Sequence, residues 1–127
     1  MIKDLKHIYT FLEGLLRHYR AVLYLDTSKA DQISAKGTIA AMQGRKKVDG
    51  FYVATIMMKP KDVRLYFFPI YTHKEQIAPL LNDELKVFLK GKSCFHIKYL
   101  NDTIQENLKL LFEEGICLYQ QQGLLNH

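Results

Sequence analysis

The stretch FYVATIMMKPKDVRLYFFPI, Phe51 to Ile70, sets two apolar runs around a short charged link. Phe51–Met58 and Val63–Ile70 are rich in β-branched and aromatic residues, the composition that suits a pleated, half-buried backbone. Both runs are apolar at both alternating positions, which places both in the centre of a sheet. Lys59-Pro60-Lys61-Asp62 is too short for a crossover, so an antiparallel hairpin is the natural connection.

Toward the N-terminus, Ser34–Ala41 reads as a further strand, weakened by Gly37, and Ala21–Thr27 as another. GRKKVDG, Gly44–Gly50, reads as a turn, with glycine at both ends and charge between. Ile2, Leu5, Ile8, Leu12, Leu15, Leu16 and Tyr19 step by threes and fours, which predicts an amphipathic helix over 2–19. Arg17 and Arg20 suit its C-terminal dipole.

Toward the C-terminus, Thr72 and Glu75 fit a capping box opening a short helix to about Leu81, limited by Pro79. Asn82 or Asp83 is placed to cap Glu84–Leu89, and Gly91 sits where a helix commonly ends. Cys94–Tyr99 is a last strand. Asp102 and Gln105 head a final helix that carries Ile104, Leu108, Leu111, Phe112 and Leu118 on one face. The order α-β-β-β-β-α-α-β-α implies an α+β domain over residues 1–127. Its antiparallel sheet of about five strands is covered by N-terminal and C-terminal helices.

Hydrophobic residues make up 48% of the 127-residue chain and charged ones 24%, values typical of a globular protein rather than a disordered one. No apolar run approaches the roughly 20 residues of a bilayer span. MIKDLKHIYTF lacks the apolar stretch of a secretion signal. A cytoplasmic location without membrane contact is expected. Cys94 and Cys117 form no CxxC pair. The net charge is +5, all of it within residues 1–60. That surplus permits contact with an anion without demanding one.

The chemistry concentrates in KGKSCFHIK, Lys90 to Lys98, with three lysines, a cysteine, a histidine and no acid. Gly91-Lys92-Ser93 is not a phosphate loop, because Lys86 stands where the first glycine belongs and a strand follows. Cys94 and His96 share a face of a strand, and nearby lysines would lower a thiol pKa. His7, His18, His73, His96 and His127 show no metal-ligand spacing, and no cofactor motif is present. Tyr52, Tyr66, Phe67 and Phe68 lie on strands with few charges beside them. Nucleic acid is therefore not an expected partner.

FFPIYTHKE and LKGKSCFHIKYLND resemble segments of the YdhG-like family of small bacterial domains. The shared elements are a Pro-x-Tyr segment, here Pro69-Ile70-Tyr71, and a GKSCF-x-[FI]-K segment, here Gly91 to Lys98. A final helix ending near an aromatic residue, here Tyr119, completes the likeness, which is strongest over residues 51–120. The resemblance implies a compact α+β domain. It also implies, for some members, frataxin-like iron chaperoning. Frataxins carry an acidic ridge on the first helix, where this chain offers Asp4 and Glu13.

Three functions follow as expectations. The first is a non-enzymatic module that holds a small anionic ligand or a partner protein's acidic surface through Tyr71, Lys92, Ser93, Cys94 and His96. The second is iron chaperoning. The third is an enzyme with Cys94 as nucleophile and His96 as base. The first is preferred, on the expectation that Lys92, Cys94 and His96 open onto one cleft. The oligomeric state is left open.

Overall fold

The computed structural model describes all 127 residues. Helix α1 (Leu5–His18) is followed by strands β1 (Tyr24–Asp26), β2 (Gln32–Lys36), β3 (Ala41–Gln43), β4 (Lys46–Val48), β5 (Tyr52–Met58) and β6 (Val63–Phe67). Short helices α2 (Pro69–Thr72), α3 (Lys74–Ile77) and α4 (Asp83–Phe88) lead to β7 (Leu89–Lys90), β8 (Cys94–Ile97) and the long α5 (Asp102–Gln121). The fold is α+β, with a six-stranded antiparallel sheet in the order β1-β2-β5-β6-β8-β7 and a separate β3-β4 hairpin.

β5 and β6 pair as a hairpin at the sheet's centre, Met58 opposite Val63. Alternation then sorts the side chains. Ile33, Ala35, Ala54, Ile56, Val63, Leu65, Phe67, Phe95 and Ile97 are buried, together with Ile8, Leu12 and Leu16 of α1 and Ile104, Leu108, Leu111 and Phe112 of α5. The two long helices therefore cover one face of the sheet. The other face presents Ser34, Lys36, Tyr52, Arg64, Tyr66, Cys94 and His96, all only partly buried.

Several boundaries differ from the sequence reading, each for a local reason. Gly44–Gly50 is not all turn: Lys46–Val48 is a strand paired with Ala41–Gln43. Gly44 has φ 63 and Arg45 does not share the positive φ, the pattern of a two-residue type II′ turn. The strand expected over 34–41 ends at Lys36. A Cβ on Gly37 would lie 2.8 Å from Leu125 Cδ2, and one on Gly50 would overlap the Gly37 carbonyl. The backbones cross too closely there for a straight strand. β6 stops at Phe67 because Phe68 is already helical and Pro69 opens α2. Thr72 ends α2 rather than capping α3, and its hydroxyl lies 2.7 Å from the Tyr119 hydroxyl. Asn82 caps α4 by accepting from Leu85 N–H at 2.9 Å. The cap of α5 falls one residue before Asp102, where Asn101 accepts from Ile104 N–H at 2.8 Å. Gly91, with φ 69, shapes the β7–β8 turn instead of ending a helix.

Candidate functional site

The stretch from Lys90 to Lys98 is the end of β7, a turn over Gly91–Ser93 and strand β8, and the groove that Lys92 lines includes neither Cys94 nor His96. Within β8, where a strand rises about 3.3 Å per residue, Cys94 and His96 lie roughly 7 Å apart on one face. The structure assigns the stretch to three places. Lys92, in the β7–β8 turn, lines a groove with Tyr71. Cys94 and His96 lie on the uncovered face of the sheet. Lys98 joins Lys59, Lys61, Arg64 and Asp62 at the β5–β6 end. The single cleft expected for Lys92, Cys94 and His96 is not formed.

The groove holds about 410 Å³ between α2, α3 and the β7–β8 turn. Its walls are Ile70, Tyr71, Lys74, Ala78, Leu89, Gly91 and Lys92. Ile70 is buried and forms part of the apolar floor, while Tyr71 is 51% exposed. The Lys92 ammonium stands 5.5 Å from the centre of the Tyr71 ring, a cation–π contact that keeps both groups at the mouth. Tyr71 in turn stacks on Phe68, with ring centres 5.6 Å apart. Lys74 adds a second ammonium, and no carboxylate lines the groove. The site thus combines apolar packing area with two positive charges, which suits a small anion bearing some carbon skeleton.

Ser93 contributes through its backbone, its carbonyl accepting from Phe67 N–H at 2.8 Å. That bond ties the β7–β8 turn to β6 at the residue after Lys92. Cys94 sits opposite Tyr66 and Lys90. Burial pushes its thiol above the ordinary range, only partly offset by the Tyr66 hydroxyl and the Arg64 charge. A nucleophilic cysteine needs the opposite shift. His96 lies opposite Arg64 and turns its Nδ1 toward Asp62 Oδ2 at 3.7 Å. Asp62 is only 6% exposed and also accepts from Arg64 Nε at 3.3 Å. His96 is therefore oriented by Asp62, and no hydrogen bond links it to Cys94.

The carboxylates of α1 are engaged locally. Asp4 accepts from Lys6 N–H as the helix cap, and Glu13 pairs with Arg17 at 2.7 Å. No three His, Cys, Asp or Glu side chains gather where they could hold a metal ion.

Ile70, Lys74, Ala78 and Leu89 were not marked by the sequence reading. One signal was present: Tyr71, Lys74 and Ala78 follow helical spacing across the α2–α3 junction. The apparent capping box at Thr72 hides it, because it starts the helix after Tyr71. No protein-family model, curated protein or solved structure matches the chain.

Proposed function

We propose that this protein is a non-enzymatic binding module whose groove holds a small anionic ligand, or an acidic side chain of a partner protein, between Tyr71, Lys74 and Lys92. The observation that carries this reading is the Lys92 ammonium at 5.5 Å over the exposed Tyr71 ring, at the mouth of an acid-free groove. Cys94 and His96 belong to the sheet face beside the groove and are not assigned a ligand contact. The YdhG-like relationship is part of the same proposal. Its two marker segments, Pro69–Tyr71 and Gly91–Lys98, both line the groove, through Ile70 and Tyr71 and through Gly91 and Lys92.

The test is a thermal-shift panel of phosphorylated metabolites and organic acids on the wild type and on Lys92→Ala. A ligand at about 100 times its Kd stabilises the folded state by about 2.7 kcal/mol. The proposal predicts stabilisation of the wild type that Lys92→Ala reduces. Absence of any shift at millimolar ligand rejects it.

A further inference from the structure

The groove is one end of a longer feature. Across the uncovered face of the sheet, aromatic rings and ammonium groups follow one another in space. Tyr24, 55% exposed on edge strand β1, has the Lys36 ammonium 5.5 Å from its ring centre. Lys36 is opposite Tyr52 in the β2–β5 register. The Tyr52 and Phe68 rings are 5.5 Å apart, Phe68 stacks on Tyr71 at 5.6 Å, and Lys92 covers Tyr71 at 5.5 Å. The six residues come from five separate segments of the chain, yet each is in reach of the next. With strands about 4.8 Å apart, the track from β1 to β6 alone runs about 15 Å.

The charge beside the track has one sign in excess. The β3–β4 hairpin adjoins it, since the Gln43 side chain accepts from Tyr52 N–H at 3.2 Å, and it carries exposed Arg45, Lys46 and Lys47. The acids close by are Asp26 and Asp49. Asp49 pairs with Lys36 at 2.9 Å but is 85% exposed, so a phosphate can replace it at little cost. Interleaved rings and cations on an open antiparallel sheet match a chain of stackable bases joined by phosphates. An acidic protein surface would use the cations and leave the rings idle.

We infer that this face binds single-stranded nucleic acid, with bases on Tyr24 and Tyr71 and phosphates on Lys36, Lys92 and the hairpin cations. The inference rests on the proposed anion groove and identifies its anion as part of a polynucleotide. The sequence alone argued against this partner, because the lysines that flank the rings are remote from them along the chain.

The experiment is fluorescence anisotropy with labelled oligouridine and oligothymidine of about 12 nucleotides, a length within the range single-strand sites cover. The wild type is compared with Tyr24→Ala and Tyr71→Ala, both more than half exposed and therefore tolerant of truncation. Binding of either oligonucleotide is expected to weaken steeply between about 50 and about 200 mM salt. Each Tyr→Ala change is expected to cost about fivefold or more in affinity. Tyr24 lies outside the groove, so Tyr24→Ala should leave any small-anion thermal shift unchanged. Two results overturn the inference: no binding at low salt, or binding matched by polyglutamate and indifferent to both tyrosine changes. If either occurs while the small-anion shift persists, the groove reading survives alone. Loss of that shift as well defeats both.

Discussion

Cys94 shows how environment overrides a suggestive neighbourhood. Its lysine-rich surroundings in the sequence favour a thiolate, but the folded protein half-buries the sulfur against Tyr66 and raises its pKa. Cys117 is exposed on α5. Iodoacetamide should therefore modify Cys117 well before Cys94 at neutral pH, as peptide mapping would reveal. Rapid labelling of Cys94 that depends on His96 would restore the nucleophile reading. Tyr119 is a second case. It is fully buried, meets Thr72 Oγ1 at 2.7 Å, and burial drives its phenol pKa strongly upward. An acid whose pKa is raised by folding supports the native state fully below its unfolded pKa. That support is lost as pH climbs from the unfolded value of about 10 toward the folded one, because only the unfolded phenol ionises. Tyr119→Phe should cost about 1 kcal/mol at neutral pH through the lost hydrogen bond. It should also flatten the fall in stability above pH ~10, measured by urea unfolding.

At the scale of elements, two helical glycines should respond oppositely to the same change. Gly14 lies on an exposed position of α1, and a Cβ there meets nothing within 4 Å. Gly14→Ala should stabilise by about 0.5–1 kcal/mol, since alanine restricts the unfolded chain and favours the helix. Gly115 lies where α5 crosses β6 and α2, and a Cβ there would come within 2.8 Å of Phe67 Cζ and 2.9 Å of Pro69 Cγ. Overpacking of that kind costs about 1–3 kcal/mol, more than the helix gain, so Gly115→Ala should lower the denaturation midpoint. Asn107 is a comparable anchor: its amide accepts from Asn82 N–H and donates to the Leu80 carbonyl, each at 2.8 Å. Asn107→Ala strands both groups and should cost roughly 2–3 kcal/mol.

These elements also mark how far the sequence could be read. The central hairpin was legible because Phe51–Met58 and Val63–Phe67 are long, apolar and joined by four residues. α1 and α5 were legible from their periodic apolar faces. The β3–β4 hairpin was not, because Lys46–Val48 carries no alternation and its strand state depends on Gly44 supplying a left-handed turn. The Thr72 capping box was a coincidence of spacing. Its hydroxyl is used by Tyr119, 47 residues away, and no local rule detects that.

Over the whole molecule, the governing asymmetry is that α1 and α5 cover one face of the sheet and leave the other open. Apolar content in β5 and β6 pointed to the centre of the sheet but was silent about which face stays uncovered. Of the expected site residues, Tyr71 and Lys92 share the groove. Ser93 braces it through its backbone, and Cys94 and His96 occupy the adjoining face. The shared groove could not be read from the chain because Tyr71 and Lys92 are 21 positions apart and meet only when β6 and β8 pair. The charge surplus in residues 1–60 is shared between Lys36 with the hairpin cations Arg45, Lys46 and Lys47 beside the open face, and Lys3, Lys6, Arg17 and Arg20 at α1. No helix is long and apolar enough to cross a membrane.

The central claim, an anion held between Tyr71, Lys74 and Lys92, is tested most directly by titrating the isotopically labelled protein with inorganic phosphate and following backbone amide shifts by NMR. Saturable changes are expected in Ile70–Ala78 and Leu89–Ser93, abolished in Lys92→Ala. Saturable changes that instead centre on Lys59–Arg64 and Lys98, or a groove whose amides never move, would contradict it.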